Sequence, residues 1–346
     1  MIAGCPPLRS MFSAASKLAQ ARLASSGAFS HLATMLERRE LRTHLLRVLT
    51  YHRVADVEEG SDFCPSLRSA SPDGFREHVE FLMEHYNVVS MEHVYAACRG
   101  ETELPPRAVL ITFDDAYHDF AEQAWPILQQ FAAPVTLFVP TAYPDNPSLV
   151  FWWDRLHRAC RAADQPTVAT PLGPLSLSSP QQRAQACEQL CSYVKTLEHG
   201  AASDFVNKIC DELGEPPLGN GVLGWDALRE LAREGVTLGA HTRTHPLMNR
   251  MRAGPAVTEA VESLRDLERE IGHVLPVFAY PGGAMDPEVI AQLRKTSIEL
   301  AFSTQRGQND LRVTDRLQLG RIHIGPSTTV PILRAKLLAY GRNMLR

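Results

Sequence analysis

"VLITFDDAYHDF", residues 109–120, runs a short apolar stretch into two adjacent aspartates, Asp114 and Asp115. Val109–Phe113 is rich in β-branched and aromatic residues, so it reads as a strand buried on both faces. A buried strand that stops on two like charges needs a reason. The C-terminal ends of strands are where open parallel sheets and α/β barrels carry ligand and catalytic groups, because the loops vary there while the strands stay rigid. The competing explanation is a helix N-cap, since Asp ahead of the apolar-periodic segment Phe120–Leu128 would satisfy free N–H groups. A cap accounts for one aspartate more readily than for two.

Working outward, the chain alternates. "LLRVLTYHRV" (45–54) reads as a strand, "SPDGFREHVEFLMEHY" (71–86) as a helix capped by Ser and Pro, and "PVTLFVP" (134–140) as a strand after a helix near 120–131. "GWDALRELAREGVTLGAHTRTH" adds a helix over 226–234, a Gly235 stop and a strand at 236–240 that ends on His241. A charged helix over 256–271 leads into "PVFAYPGG" (276–283), and "LAFSTQRGQND" and "RLQLGRIHIG" complete the strands. Such alternation predicts parallel strands joined by crossover helices. The rhythm lapses between about 144 and 222 into Pro-, Ser-, Gln- and Gly-rich text around the amphipathic "QQRAQACEQLCSYVKTL", which predicts an insertion or cap. The domain reading is an N-terminal helical, basic extension over 1–45 and one α/β domain over 46–346 carrying that insertion.

Composition narrows the functional classes. A chain of 346 residues, 45% apolar, can bury a full core, and its mean hydropathy of -0.16 is that of a globular protein. With 35 basic and 39 acidic residues the net charge is -4, so no general field attracts nucleic acid. Seven scattered cysteines without CxxC spacing indicate neither a disulfide framework nor a thiolate zinc site, and suit a reducing compartment. No run approaches the ~20 apolar residues of a membrane span. Residues 1–36 lack Asp and Glu but carry Arg9, Lys17 and Arg22, which resembles a transit peptide or a basic amphipathic surface helix; a solvated helix is the plainer reading. "IAGC" (2–5) has no hydrophobic segment before it and is not read as a lipoprotein box. The expected location is the cytoplasm or the inner membrane surface, which leaves peripheral membrane association open.

His241 and His245 are four apart, so a helical turn starting at the strand end would put both imidazoles on one face, as metal ligation requires. Among thirteen histidines chance supplies about 0.5 such pairs, so the spacing alone is weak. Both the paired aspartates and the paired histidines, however, follow buried strands, whose ends open on the same side of a parallel sheet. One carboxylate and two neutral imidazoles form a three-ligand site for a divalent cation with positions open to water and substrate. The second carboxylate is then free to take a proton from water acidified by the cation.

"TFDD" (112–115), "HTRTH" (241–245) and "YPGG" (280–283) have the order and spacing of the polysaccharide deacetylase family, carbohydrate esterase family 4 with its NodB-homology domain. "YHRV" (51–54), "FWWD" (151–154) and "RIHIG" (321–325) resemble a branch associated with exopolysaccharide loci, and the likeness spans about residues 46–325. This resemblance implies a distorted (β/α) barrel and metal-dependent removal of acetyl groups from an N-acetylated sugar or glycan, usually with zinc. Carried over by motif, Asp115, His241 and His245 would hold the metal, Asp114 would be the general base, and the Gly282 N–H would stabilise the oxyanion, with Tyr280, Pro281 and Trp153 toward the substrate.

One departure stands out. The family usually places an Arg before the third-motif proline to pair with the base, and here that position is Ala279. Arg321 is the candidate substitute, against the alternative of an ordinary surface Arg. His323 is the candidate general acid, although its alternation with Ile322 and Ile324 also suits the polar face of an edge strand. Trp152 and Trp153 suit either sugar stacking or core packing. Two rival readings use the same residues: a metal-dependent amide or ester hydrolase of a small molecule, and a non-catalytic carbohydrate-binding relative.

Overall fold

The computed structural model describes residues 27–56, 61–217 and 221–339, and in it Val109–Phe113 belongs to the middle of a nine-stranded sheet. In chain order, helix α1 (Gly27–Arg39) precedes β1 (Leu45–Tyr51), β2 (Arg53–Val54), β3 (Arg68–Ala70), α2 (Pro72–His85), β4 (Asn87–Val88), α3 (Met91–Arg99) and β5 (Ala108–Phe113). A π-helical turn, Phe120–Ala124, then opens α4 (Trp125–Gln130) and β6 (Thr136–Val139) follows. The insertion contains α5 (Trp152–Ala162), β7 (Thr167–Thr170), β8 (Gly173–Ser176), α6 (Pro180–Val194) and α7 (His199–Leu213). The chain closes with α8 (Trp225–Arg233), β9 (Thr237–Ala240), α9 (Ala253–Ile271), β10 (Val277–Ala279), α10 (Pro287–Leu293), β11 (Leu300–Phe302), β12 (Asn309–Asp310), β13 (Ile322–His323) and α11 (Val330–Ala339).

Strand order is β11-β10-β9-β6-β5-β1-β12, with β13 also on β1 and β4 on β5. All these pairings are parallel except β1 with β12, as the alternation predicts, and the curled, incomplete barrel they form is the one the family resemblance implies. β1 and β5 are buried along their whole length, which is why β5 reads as a nearly continuous apolar run rather than an alternating one. Successive residues serve opposite faces: Leu46, Val48, Leu110, Phe138 and Ala279 pack with Met91 and Val94 of α3, while Tyr51, Val109, Ile111, Phe113 and Leu137 pack under the other helices.

Caps follow the sequence. Ser71 accepts the Gly74 N–H to start α2, with Pro72 in its first turn, and Gly235, at φ 106°, turns the chain out of α8 in a conformation an L-residue rarely adopts. Register aligns the strand ends, since Tyr51 pairs with Phe113, Val139 with Ala240, and Ala240 with Phe278. The residues that follow β5 and β9 therefore emerge on one rim.

The insertion has a core of its own, with Leu156, Ala159, Leu177, Leu190, Val206 and Ile209 buried among its helices and hairpin. Most of the basic N-terminal stretch lies outside the described residues. Its described part, α1, is docked rather than solvated: Glu37 is buried, pairs with Arg334 of α11 at 2.6 Å and accepts from the Tyr86 hydroxyl at 3.1 Å. Among the described residues no helix is long and apolar enough to cross a membrane.

Candidate metal and catalytic centre

Asp115 leaves β5 in the left-handed region, at φ 74°, and Ala116 follows at φ 53°. His241 and His245 are not carried by a helical turn, as their spacing suggests. The segment after β9 is a loop in which Thr242 (φ 62°) and His245 (φ 57°) both take left-handed conformations, and the His245 N–H closes on the Thr242 hydroxyl at 3.1 Å. Left-handed backbone at non-glycine residues costs about 1–3 kcal/mol each and persists where the surroundings impose it. Here Glu259 of α9 imposes it, accepting the Arg243 and Thr244 N–H groups at 2.9 Å each and the Thr244 hydroxyl at 2.9 Å. Asp266 on the same helix takes the Arg243 guanidinium at 2.9 Å and the Thr141 hydroxyl at 2.8 Å.

The loop brings the two imidazole rings to 4.8 Å between centroids and points both Nε2 atoms at Asp115 Oδ1, 3.5 Å from His241 and 3.2 Å from His245. All three ligand atoms lie within 4.8 Å of one another and all three residues are buried. The His241 Nδ1–H donates to the Ala279 carbonyl at 2.7 Å, so its Nε2 presents a lone pair. Burial opposes charge on these groups, yet His241 and His245 hold the Asp115 carboxyl well below the usual carboxylate range. Burial also lowers the His245 pKa in spite of Asp115, keeping that imidazole neutral. Asp115 Oδ1 has no geometrically sound hydrogen-bond donor. A buried carboxylate oxygen facing two imidazole nitrogens without a donor fits a divalent cation, and oxygen and nitrogen donors of this kind suit zinc among others.

Asp114 continues the face of Leu110 and Thr112. It is held by Arg321 in a two-pronged pair, Nη1 to Oδ1 at 2.7 Å and Nη2 to Oδ2 at 2.8 Å. The guanidinium is 1% exposed, donates from Nε to the Ser303 carbonyl at 3.0 Å, and sits 5.7 Å over the Phe138 ring, within the cluster that also contains Ala279. Burial raises the Asp114 pKa, but the charge and hydrogen bonds of Arg321 outweigh it and the carboxyl stays below its ordinary value.

The other expected residues fall in different places. Tyr280 is fully buried with its hydroxyl on the Leu317 carbonyl at 3.0 Å, and Pro281 is buried beside it, so both side chains support the turn. Gly282, at φ 59°, packs so tightly that a Cβ would come within 2.9 Å of the Leu247 side chain, which sets the turn against the histidine loop. Trp153 donates its indole N–H to the Tyr117 hydroxyl at 2.9 Å, stacks on Phe151 and stands edge-on to His245, 5.0 Å between ring centroids. It is a wall behind the histidine rather than a sugar platform. Trp152 instead lines a cavity of about 170 Å³ beside His245, with Tyr143, Leu247, Val194 and Arg155.

His323 is not among the three converging metal-type ligands, and its ring stands 5.9 Å from that of His52. Partial burial, and after it the neighbouring His52, Lys336, Arg306 and Arg321, push its pKa down to about 4. His52 is the residue sequence reasoning passed over. It follows β1, its Nε2 is 3.9 Å from Asp114 Oδ2 and its Nδ1 is buried without a partner. Its signal was its position, because "YHRV" ends a buried strand just as "TFDD" does.

A polysaccharide deacetylase family profile matches residues 101–301. Poly-beta-1,6-N-acetyl-D-glucosamine N-deacetylase of Escherichia coli K12 is 34% identical over 101 residues, 29% of this chain and 14% of that protein, so the chain matches only about a seventh of its curated relative. Among solved structures, the Streptococcus pyogenes deacetylase PplD in complex with acetate superposes with a TM-score of 0.58 at 19% identity, covering 86% of this chain and 99% of that one. A de-N-acetylase from Aggregatibacter actinomycetemcomitans gives 0.56 at 19% identity over 84% and 99%. IcaB from Ammonifex degensii gives 0.53 at 18% identity over 86% and 99%. These likenesses show the barrel. The profile spans more than half of the chain and takes in the paired aspartates, both histidines and the glycine turn, and on that ground the protein belongs to the polysaccharide deacetylase family.

Proposed function

We propose that this protein is a metal-dependent N-deacetylase of an N-acetylated glycan. The observation that carries the reading is the division of the two aspartates, Asp115 facing two imidazoles and Asp114 gripped by a buried guanidinium on the same rim. A divalent cation held by Asp115, His241 and His245, zinc on this donor set, would supply Lewis acidity toward the acetyl carbonyl and lower the pKa of water from 15.7 to about 7. Asp114 receives the proton of the attacking water. Arg321 keeps that carboxylate ionised and in place, since an unpaired Asp114 could swing toward the cation as an extra ligand. The Gly282 N–H, by its place in the family motif, would be the donor to the developing oxyanion, where one such donor is typically worth about 3–4 kcal/mol. His52, whose Nε2 lies 3.9 Å from Asp114 Oδ2, joins His323 as a candidate to pass a proton to the leaving amine. The partly apolar cavity at Trp152 offers the sugar a ring face, with Arg155 at its edge.

The similarity to a poly-beta-1,6-N-acetyl-D-glucosamine N-deacetylase supports an N-acetylglucosamine polymer as substrate. The test is amine release from β-1,6-linked and β-1,4-linked N-acetylglucosamine oligomers against acetate release from O-acetylated glycans, with zinc-loaded and chelator-treated protein. Zinc-dependent amine release from the N-acetylated oligomers is expected. Acetate release confined to the O-acetylated glycans would overturn the substrate class, and activity undiminished by chelation would overturn the site.

A further inference from the structure

The cavity beside His245 is walled from two sides. The histidine loop supplies His245, Pro246 and Leu247, and the insertion supplies Trp152 and Arg155 from α5 together with one face of α7. On that face His199, Ser203 and Asn207 recur every four residues, so a polar stripe runs along the helix. Arg155 donates from Nη1 to the Asn207 Oδ1 at 2.7 Å and is itself held by Glu215 at 2.9 Å, which leaves the Asn207 amide nitrogen to donate. The Ser203 hydroxyl donates to the His199 carbonyl at 3.2 Å, which leaves its oxygen to accept. Trp152 is braced edge-on against Trp153, 5.2 Å between ring centroids. Donors and acceptors beside an aromatic ring suit a sugar, which has a polar edge and an apolar face; a bare acyl chain would use only the apolar part.

The cavity lies next to the centre without containing it. His245 lines it, but Asp114, Asp115, His241 and Gly282 do not. Leu247 joins the two, since its side chain lines the cavity and also packs on the Gly282 turn. A carbonyl placed at the metal ligands is therefore outside the cavity, and what fills the cavity is attached to the reacting sugar rather than part of its acetamido group. The volume, about 170 Å³, falls short of the ~300 Å³ at which pockets enclose a drug-sized ligand, so it admits one ring and not a stretch of chain.

The charge of the walls is one-sided. Among the described residues no carboxylate lines the cavity, whereas Arg155 and Arg250 both do. Glu215 balances Arg155, but Arg250 meets a neutral acceptor, the Lys195 carbonyl at 3.1 Å. A neutral N-acetylated residue meets no opposing charge there. A residue bearing an ammonium group meets like charge and finds no carboxylate to pair with. We propose that the cavity is a subsite for the sugar residue adjoining the one deacetylated, and that it accepts this neighbour while still N-acetylated and rejects it once it carries an amine. The proposal rests on the N-deacetylase reading. It gives the insertion a task, the spacing of amines along the glycan, because each product residue is a poor neighbour for the next reaction.

The experiment digests a β-1,6-linked N-acetylglucosamine hexamer to completion with the zinc-loaded full-length protein and sequences the products by tandem mass spectrometry. Amines separated by at least one acetylated residue are expected. Asn207→Asp nearly keeps the shape of the amide and puts a carboxylate in the cavity, so it should yield adjacent amines, and Arg250→Gln should move the pattern the same way. In parallel, the same hexamer and its fully deacetylated counterpart are titrated into Asp114→Asn protein. The acetylated hexamer should bind about tenfold more tightly, and adding Asn207→Asp should narrow that gap severalfold. Runs of adjacent amines from the unaltered protein would overturn the proposal, as would a binding gap indifferent to Asn207→Asp. Faster release from N-butyryl than from N-acetyl oligomers would also overturn it, by making the cavity an acyl pocket. No amine release, with a binding gap that still responds to Asn207→Asp, would sink the catalytic reading and leave the subsite and its charge preference standing.

Discussion

Arg321 carries the heaviest single demand at the residue scale. It and Asp114 are both nearly inaccessible, so removing the guanidinium leaves a carboxylate buried without its partner, a change that costs about 3–5 kcal/mol in such settings. Arg321→Ala should therefore lower the denaturation midpoint and retain metal. It should also raise the Asp114 pKa, shifting the acidic limb of the pH–rate profile to higher pH, because the charge that favoured the ionised form is gone. Ala279 shares a packed cluster with Phe138, beneath the guanidinium, so Ala279→Arg alone should destabilise, whereas in the Arg321→Ala background it should recover turnover. Equal kinetics for the single and double variants would mean that the two side chains do not serve the same carboxylate.

The two aspartates should also separate cleanly by metal content. Asp115→Ala, His241→Ala and His245→Ala should each lose bound zinc by elemental analysis, as a three-ligand site cannot spare one. Asp114→Asn should keep it, with kcat lower by about 10²–10⁴-fold, since an amide preserves shape but accepts no proton. Loss of zinc in Asp114→Asn would make Asp114 a ligand and reverse the assignment.

At the scale of elements, α9 holds the histidine loop through Glu259, which touches neither histidine ring in the contacts described above. Glu259→Ala frees two backbone N–H groups and a hydroxyl, and an outer residue of this kind typically alters metal affinity by about 10–100-fold. A chelator competition measuring zinc affinity should show that weakening without a change in the number of sites.

Helix α2 supplies a pH-dependent contact. His78 is buried, with Nε2 on the Thr328 carbonyl at 2.8 Å and Nδ1 facing the Tyr51 hydroxyl at 3.3 Å, and burial lowers its pKa to about 4 from the ordinary 6.5. The fold binds the neutral ring and the unfolded chain the charged one, so stability is whole above pH 6.5 and falls as pH drops through 6.5 toward 4. The most this group can withdraw is about 3 kcal/mol. Urea titrations from pH 7 to 4 should show a shallower decline for His78→Gln than for the unaltered chain.

For the whole molecule, the question is whether the insertion behaves as a separate unit. It has its own core, but Phe151 and Trp153 pack into the main core, and buried Asp154 accepts from both Cys64 and Tyr117. Asp154→Ala would leave two buried donors unsatisfied, at about 1–3 kcal/mol each. Calorimetry should show one unfolding transition for the unaltered protein and a broadened or split one for this variant. A single sharp transition at an unchanged temperature would show that the junction rests on other contacts.

How much of this was legible in the sequence follows from range. Apolar runs of strand length, their alternation with helical periods, and polar residues placed just after buried strands are local patterns, repeating every two or about four residues. They were enough to mark Asp114, Asp115, His241 and His245 and to predict a parallel α/β sheet. Only the tertiary structure decided what those residues meet. The loop around Thr242 replaces the helical turn that the histidine spacing implied, because left-handed backbone held by Glu259 is invisible to periodicity. Tyr280 and Trp153 turned inward because their polar atoms found partners at Leu317 and Tyr117. Arg321 reaches Asp114 across 207 residues. Contacts of that separation are made when the sheet curls and brings its distant strands side by side, and a pattern with a period of a few residues holds no record of them.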